Sequence, residues 1–179
     1  MSRPTVAPDV LDEAFVRDFV ERWHAAWNSK DPARVAELCT ADVELVDPTM
    51  PAPVHGIDGI RRTLGPLARA FPNFRFTSTE EPFLSRSGAR VVMPWQFAGT
   101  MTGPLQPPGF APTGGVVSFE GHDVWDFRDG RVSRMEALFD VNGVAVQIGA
   151  APAPGSGGER VGVWLQRAEA WRRRRAARG

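Results

Sequence analysis

Tyrosine is absent from this chain of 179 residues, and cysteine and lysine occur once each, at Cys39 and Lys30. A single thiol excludes an intrachain disulfide and any cysteine-rich zinc site. The missing Tyr removes one common catalytic acid from the candidates. No apolar run approaches the roughly 18 residues that a membrane-spanning helix needs. The leading stretch MSRPTVAPDVLDEAF has no apolar core of the signal-peptide kind, so a cytoplasmic address is the expectation. Arginine supplies every basic residue but Lys30, a bias read as gene composition rather than as a binding function.

What is present is ordinary in bulk and uneven in detail. Hydrophobic residues make up 42% and charged residues 23%, the balance of a folded globular protein. The length fits one domain with a real core. The net charge is zero, yet residues 160–179 hold seven Arg and one Glu, so the remainder is mildly acidic. Two units follow: a globular domain over residues 10–150, and residues 151–179 as a Pro/Gly linker with an Arg-rich helical tail. In the tail Trp164, Ala168, Trp171 and Arg175 form a helical stripe, read as a surface helix. The run Arg172–Arg175 offers contact with nucleic acid or acidic lipid as the other reading. One short patch on an otherwise acidic chain carries neither, so neither nucleic acid nor membrane is expected as a partner.

The hydrophobic pattern gives helices first and strands after, an α+β order. Residues 10–28 place Val16, Phe19, Val20, Trp23 and Trp27 at helical spacing. Asp31 caps a second, shorter helix that Pro32 opens. Residues 42–47 alternate as a strand and Pro48 stops it. Residues 57–71 form a third helix, which Gly65-Pro66 should bend or divide. Strands are expected at 74–78, 89–99, 116–127 and 131–139, the last two joined by a hairpin turn at Asp129-Gly130. Residues 103–115 carry too much Pro and Gly for a regular element and read as a long loop at the mouth of something.

Several segments taken together resemble a known family. VELVDPTMPAPVHGIDGI, WQFAGTMTGPL, GHDVWDFRDGRV and FDVNGVAVQIG are similar to segments of SnoaL-like polyketide cyclases, within the nuclear-transport-factor-2-like superfamily. The resemblance covers about residues 12–150 and implies a cone: a curved antiparallel sheet around a hydrophobic pocket, closed by N-terminal helices. Ketosteroid isomerases of the same superfamily open a segment D-P-x4-P-x2-G-x3-I with their catalytic base, and Asp47, Pro48, Pro53, Gly56 and Ile60 match it without a gap. Their second, oxyanion-stabilising Asp corresponds to Asp123. Their Tyr on the first helix corresponds to Trp23, whose indole N–H donates but is no acid. The Asp that SnoaL-like aromatic cyclases carry on the final strand corresponds to Ala137.

The resemblance therefore implies a cofactor-independent cyclase or isomerase of secondary metabolism with a small, hydrophobic, polyketide-like substrate. Asp47 would be its acid/base and Asp123 its second acid. Trp23, Trp27, His55, Trp95, Trp125, Met135 and Phe139 would contact the substrate. A strand carboxylate beneath an apolar roof can shuttle a proton, and a second, desolvated carboxyl stays protonated and donates to a developing enolate. Strand alternation puts Asp123 with Trp125 and Phe127 on one face, and His122 on the other. Plainer readings stand beside these: Asp47 caps a loop, Asp123 is a satisfied buried group, and His55 is a solvated loop histidine. His24 and Cys39 have no partner at ligand spacing, so no metal is expected. Arg134 and Glu136 fall on the outer sheet face, where a homodimer interface with a cross-chain charge pair is expected. A non-catalytic binding module and an epoxide hydrolase are the alternatives.

Overall fold

A computed structural model describes residues 11–86 and 89–176. Val10, with which the first helix and the globular unit were expected to begin, lies outside the described residues, as does the end of the tail. Helix α1 (Glu13–Asn28) starts where the Asp12 carboxylate accepts from the Phe15 amide. It buries the predicted stripe Val16, Phe19, Val20, Trp23 and Trp27. Helix α2 (Pro32–Glu37) has Asp31 as its cap, accepting from the Ala33 amide, and Pro32 in its first turn. Strands β1 (Cys39–Val46) and β2 (Val54–His55) flank the Pro-rich loop.

Helix α3 (Gly56–Ala70) is one element, so Gly65-Pro66 neither ends nor divides it. The steric reason is Gly65 itself. A residue before Pro avoids the α region largely through its Cβ, and Gly65 has none. The carbonyl at Arg62 that Pro66 leaves without a donor belongs to an exposed residue, where water can serve it.

Then come β3 (Arg75–Ser78), β4 (Phe83–Leu84), β5 (Arg90–Thr100), β6 (Val116–Arg128) and β7 (Arg131–Phe139). The sheet has seven strands in the order β2-β1-β7-β6-β5-β3, with β4 on β5. It is curved and mixed rather than wholly antiparallel, because β1 runs parallel to β7 (Leu45↔Met135). Parallel neighbours need a long crossover, and the entire chain between β1 and β7 provides it. The β6–β7 turn has both Asp129 (φ 53°) and Gly130 (φ 71°) in the left-handed region, the two-residue hairpin geometry that matches strand twist.

Asp140 ends β7 and caps helix α4 (Val141–Gln147) through the Gly143 amide at 2.8 Å. The segment VNGVAVQ is β-rich and carries no helix signal by propensity; the Asp140 cap starts the helix, and its Val144 and Ala145 side turns to a cavity rather than into the core. A Cβ at Gly143 would stand 2.4 Å from Asp140 Oδ2, so a side chain there would push the capping carboxylate aside. Helix α5 (Gly157–Ala176) follows and buries none of its residues. Among the described residues no helix is long and apolar enough to cross a membrane.

On the outer sheet face, Arg134 donates to Glu44 at 3.0 Å and to Glu136 at 2.9 Å. The charge pair expected to bridge two subunits is thus closed within one chain, because the β1–β7 register sets Glu44 directly beside Arg134.

Candidate functional site

The concave side of the sheet and the helices above it enclose a cavity of about 520 Å³. Strand alternation builds its walls: Met93, Trp95 and Phe97 from β5, Val117, Phe119 and Asp123 from β6, and Met135, Ala137 and Phe139 from β7. Trp23, His24 and Trp27 of α1 form the roof, and Thr63, Pro66 and Leu67 of α3 one side. The segment Asp47–Pro51, the loop residues Leu105 and Phe110, Val141 and Val144 of α4, and Ile148 just past its end contribute further wall. The Pro-rich stretch is indeed a loop, pinned by a Leu105–Phe110 bridge.

Asp123 is the one buried charged side chain among the described residues, 7% exposed. Trp95 Nε1 donates to its Oδ1 at 2.9 Å. Burial pushes the Asp123 carboxyl up to about 7, well above the ordinary carboxylate range. The indoles of Trp95, Trp125 and Trp23 pull the other way by favouring the anion, and the charge of Asp47 adds to the rise. Only Trp95 reaches hydrogen-bond geometry; the buried Trp125 Nε1 has no partner within it. The net result is an acid that exchanges its proton near neutrality inside an apolar chamber.

Asp47 is half-buried at the end of β1 and lines the same cavity. Its Oδ1 accepts from the Thr49 amide at 2.7 Å and the Thr49 hydroxyl at 2.5 Å. The turn-capping role and the place on the cavity therefore coexist in one side chain. These hydrogen bonds hold the carboxyl in one orientation, as an acid/base group requires.

Of the residues singled out from sequence, Asp47, Asp123, Trp23, Trp27, Trp95, Met135 and Phe139 come together on the cavity. Trp125 and His55 do not. Trp125 points inward on β6 but is fully buried under Phe19 and Trp23, with ring centroids 5.5 and 5.0 Å away, so it is core rather than wall. His55 is exposed on the edge strand β2, just ahead of α3, and is not among the residues that line the cavity. His122 is exposed, opposite in face to Asp123. Sequence reasoning missed His24, which lines the cavity beside Trp23. Its imidazole is held low by burial, its Nδ1 lies 3.4 Å from Ser78 Oγ, and its Nε2 is buried without a partner. The width of a helix face was the available signal, because a core-facing stripe spans about 100° and takes in the neighbour of Trp23. Alternation outward from Trp95 would likewise have found Met93 and Phe97.

Among the described residues no group of three or more His, Cys, Asp or Glu is placed to hold a metal ion. Cys39 is buried and its thiol is pushed up to about 12 by desolvation.

A SnoaL-like domain, as a family description, matches residues 20–135. No curated protein matches the chain. Solved structures do. TsrD from Streptomyces laurentii is 25% identical with a TM-score of 0.67, over 78% of this chain and 98% of TsrD. A candidate SnoaL-like polyketide cyclase from Jannaschia sp. CCS1 is 20% identical with a TM-score of 0.67, over 86% and 99%. The epoxide hydrolase/cyclase-like enzyme SalBIII, with a role in pyran ring formation in the polyether salinomycin, is 16% identical with a TM-score of 0.60, over 73% and 95%.

Proposed function

The chain belongs to the SnoaL-like domain family, and from that premise we propose that it is a cofactor-independent cyclase or isomerase of secondary metabolism. Its substrate is a hydrophobic, polyketide-type intermediate. One observation carries this reading: a buried aspartic acid poised near neutrality shares an apolar cavity with a second, oriented aspartate.

In this mechanism Asp47 takes a proton from carbon next to a carbonyl, and Asp123 in its neutral form donates a hydrogen bond to the carbonyl oxygen as charge builds there. Asp47 then returns the proton at a new position, or the enolate carbon attacks a second carbonyl to close a ring and the proton held by Asp47 passes to the alkoxide formed there. Trp23, Trp27, Trp95, Met135 and Phe139 hold one conformer of a flexible chain, which supplies much of the barrier reduction in a cyclisation. A cavity of about 520 Å³ suits a ligand of several rings. Ring closure by epoxide opening, the kind of chemistry suggested by the name of SalBIII, would use the same chamber with less weight on Asp47.

The non-catalytic alternative would gain support from a shallow pocket or one plugged by its tryptophans, and a cavity of about 520 Å³ withholds that support. An epoxide hydrolase of the Asp-Arg-Asp kind draws no support, as no Arg is among the described lining residues. The same reading places the enzyme in the cytoplasm, as a homodimer through the outer sheet face. Turnover by Asp47→Asn and Asp123→Asn is the direct test. Each should lose at least a hundredfold in kcat, and full turnover by both variants would end the proton-relay mechanism.

A further inference from the structure

Gly121 and Trp95 face each other across the β5–β6 pair. A Cβ at Gly121 would stand 2.5 Å from both Cζ2 and Cη2 of the Trp95 ring, and 2.9 Å from the Leu138 carbonyl oxygen. Gly121 is not in the left-handed region, so its backbone conformation does not call for glycine; the space does. The opposing atoms belong to a rigid indole and cannot yield singly. That ring is also hemmed in by Phe76, Phe119 and Phe139, with centroids at 5.3, 5.7 and 6.0 Å. The same indole donates from Nε1 to Asp123, two residues beyond Gly121 on the same face of β6.

We propose that Gly121 and Trp95 form a positioning unit for Asp123, in which the bare backbone of Gly121 lets the indole lie flat on β6 and so aims its N–H at Oδ1. Trp95 then does more than line the cavity. Its N–H occupies Oδ1, so when Asp123 is protonated the hydrogen is carried by Oδ2. The donor also offsets part of the desolvation that burial imposes, keeping the acid within reach of neutral pH. Closing the Gly121 notch displaces the ring and removes the donor while leaving the Asp123 side chain itself unaltered.

The consequence for turnover rests on the proton-relay reading, but the unit itself is tested without substrate. The full chain is labelled with 13C at its aspartate carboxyls and titrated by NMR, with Asp123→Asn identifying the resonance. Trp95→Phe removes the donor and should raise the Asp123 midpoint by about one pH unit. Gly121→Ala should raise it similarly. The double variant should move no further than Trp95→Phe alone, because the donor is already gone whatever the added methyl does to the ring or to the Leu138 carbonyl beside it. A folded Gly121→Ala protein that titrates like the parent, or single shifts that sum in the double variant, would overturn the proposal. If Gly121→Ala does not fold, recovery of folding in the Gly121→Ala/Trp95→Phe double variant supports the notch as the indole's space, and a double variant no better folded overturns it. A parent Trp95 indole 15N–1H resonance indifferent to the Asp123 titration refutes the unit as well. Failure here leaves the turnover test of Asp47 and Asp123 standing, and the converse also holds.

Discussion

The six tryptophans of the chain divide between two helices and a sheet, and the two helices make the instructive pair. On α1, Trp23 and Trp27 stand four residues apart and are buried. On α5, Trp164 and Trp171 stand seven apart, equally in phase with a helix, and are 67% and 58% exposed. Helical spacing is common to both, so spacing alone does not bury a side chain. The stripe on α1 is continuous from Val16 to Trp27, and a curved sheet with its own aromatic face lies opposite. The stripe on α5 is short and ends in the charged Arg175, and the helix buries none of its residues. In place of a core contact, Trp171 takes the Arg175 guanidinium over its ring at 4.6 Å.

Truncating one tryptophan from each region makes the contrast quantitative and gives the largest expected effect. Trp125 is wholly buried among Phe19, Trp23 and Phe127, so Trp125→Ala should cost about 3–5 kcal/mol in chemical denaturation. Trp164→Ala should stay within about 0.5 kcal/mol of the parent. A Trp164→Ala loss comparable to that of Trp125→Ala would mean that α5 packs on the domain in solution, and the contrast would collapse.

Next in size is the pH dependence that Asp123 builds into the domain. Below its unfolded pKa of 3.8 the carboxyl is neutral in both states and costs nothing. As pH rises from there to about 7, the unfolded chain ionises while the folded chain keeps its proton, so stability declines. Above about 7 the full penalty, of order 4 kcal/mol, is present. Asp123→Asn keeps the shape and the oxygen that accepts from Trp95, without the titration. It should match the parent near pH 4 and be more stable by a few kcal/mol at pH 8, even as turnover falls. Parallel stability curves for parent and variant across that range would show that Asp123 is not a buried, protonated acid.

How much of this was legible in the sequence follows from which signals are local. The stripe of α1, the Asp31-Pro32 start of α2 and the hairpin at Asp129-Gly130 rest on local chemistry or simple periodicity, and the structure has them; Met135 and Phe139 came from the family resemblance and also line the cavity. The parallel β1–β7 pairing was out of reach, since it joins segments some ninety residues apart (Leu45↔Met135). Helix α4 was hidden because a β-rich heptad is overridden by one cap and by the cavity it covers. Asp47 and Asp123 could be found by matched spacing, but that they share one chamber is a tertiary fact. Trp125 shows the opposite error: facing inward is a property of the strand, whereas lining a cavity depends on what stands in front.

Glycines sharpen the same comparison, because one substitution means opposite things in the two regions. Gly103 begins the loop that carries Leu105 and Phe110 to the cavity, and its amide donates to the Ala70 carbonyl at 3.1 Å. A Cβ there would stand 2.0 Å from the Arg69 carbonyl oxygen, which is backbone and cannot swing aside. Gly103→Ala should therefore cost about 2 kcal/mol and loosen the loop at the cavity. Thermal unfolding and binding of an apolar fluorescent probe would register both. A domain unchanged by both measures would show that this approach is not held in solution.

The smallest effect comes from the glycine in the middle of α5. Nothing lies within 4 Å of a Cβ built on Gly162, and the residue sits inside a twenty-residue helix. Glycine there costs the helix about 0.5–1 kcal/mol relative to alanine, through backbone entropy alone. Gly162→Ala should slow amide hydrogen exchange in the first half of α5 by about threefold. It should leave the unfolding midpoint of the domain where it was, because no buried contact transmits the gain. Should the midpoint rise along with the protection, α5 and the domain unfold as one unit, and the tail belongs to the domain rather than merely following it.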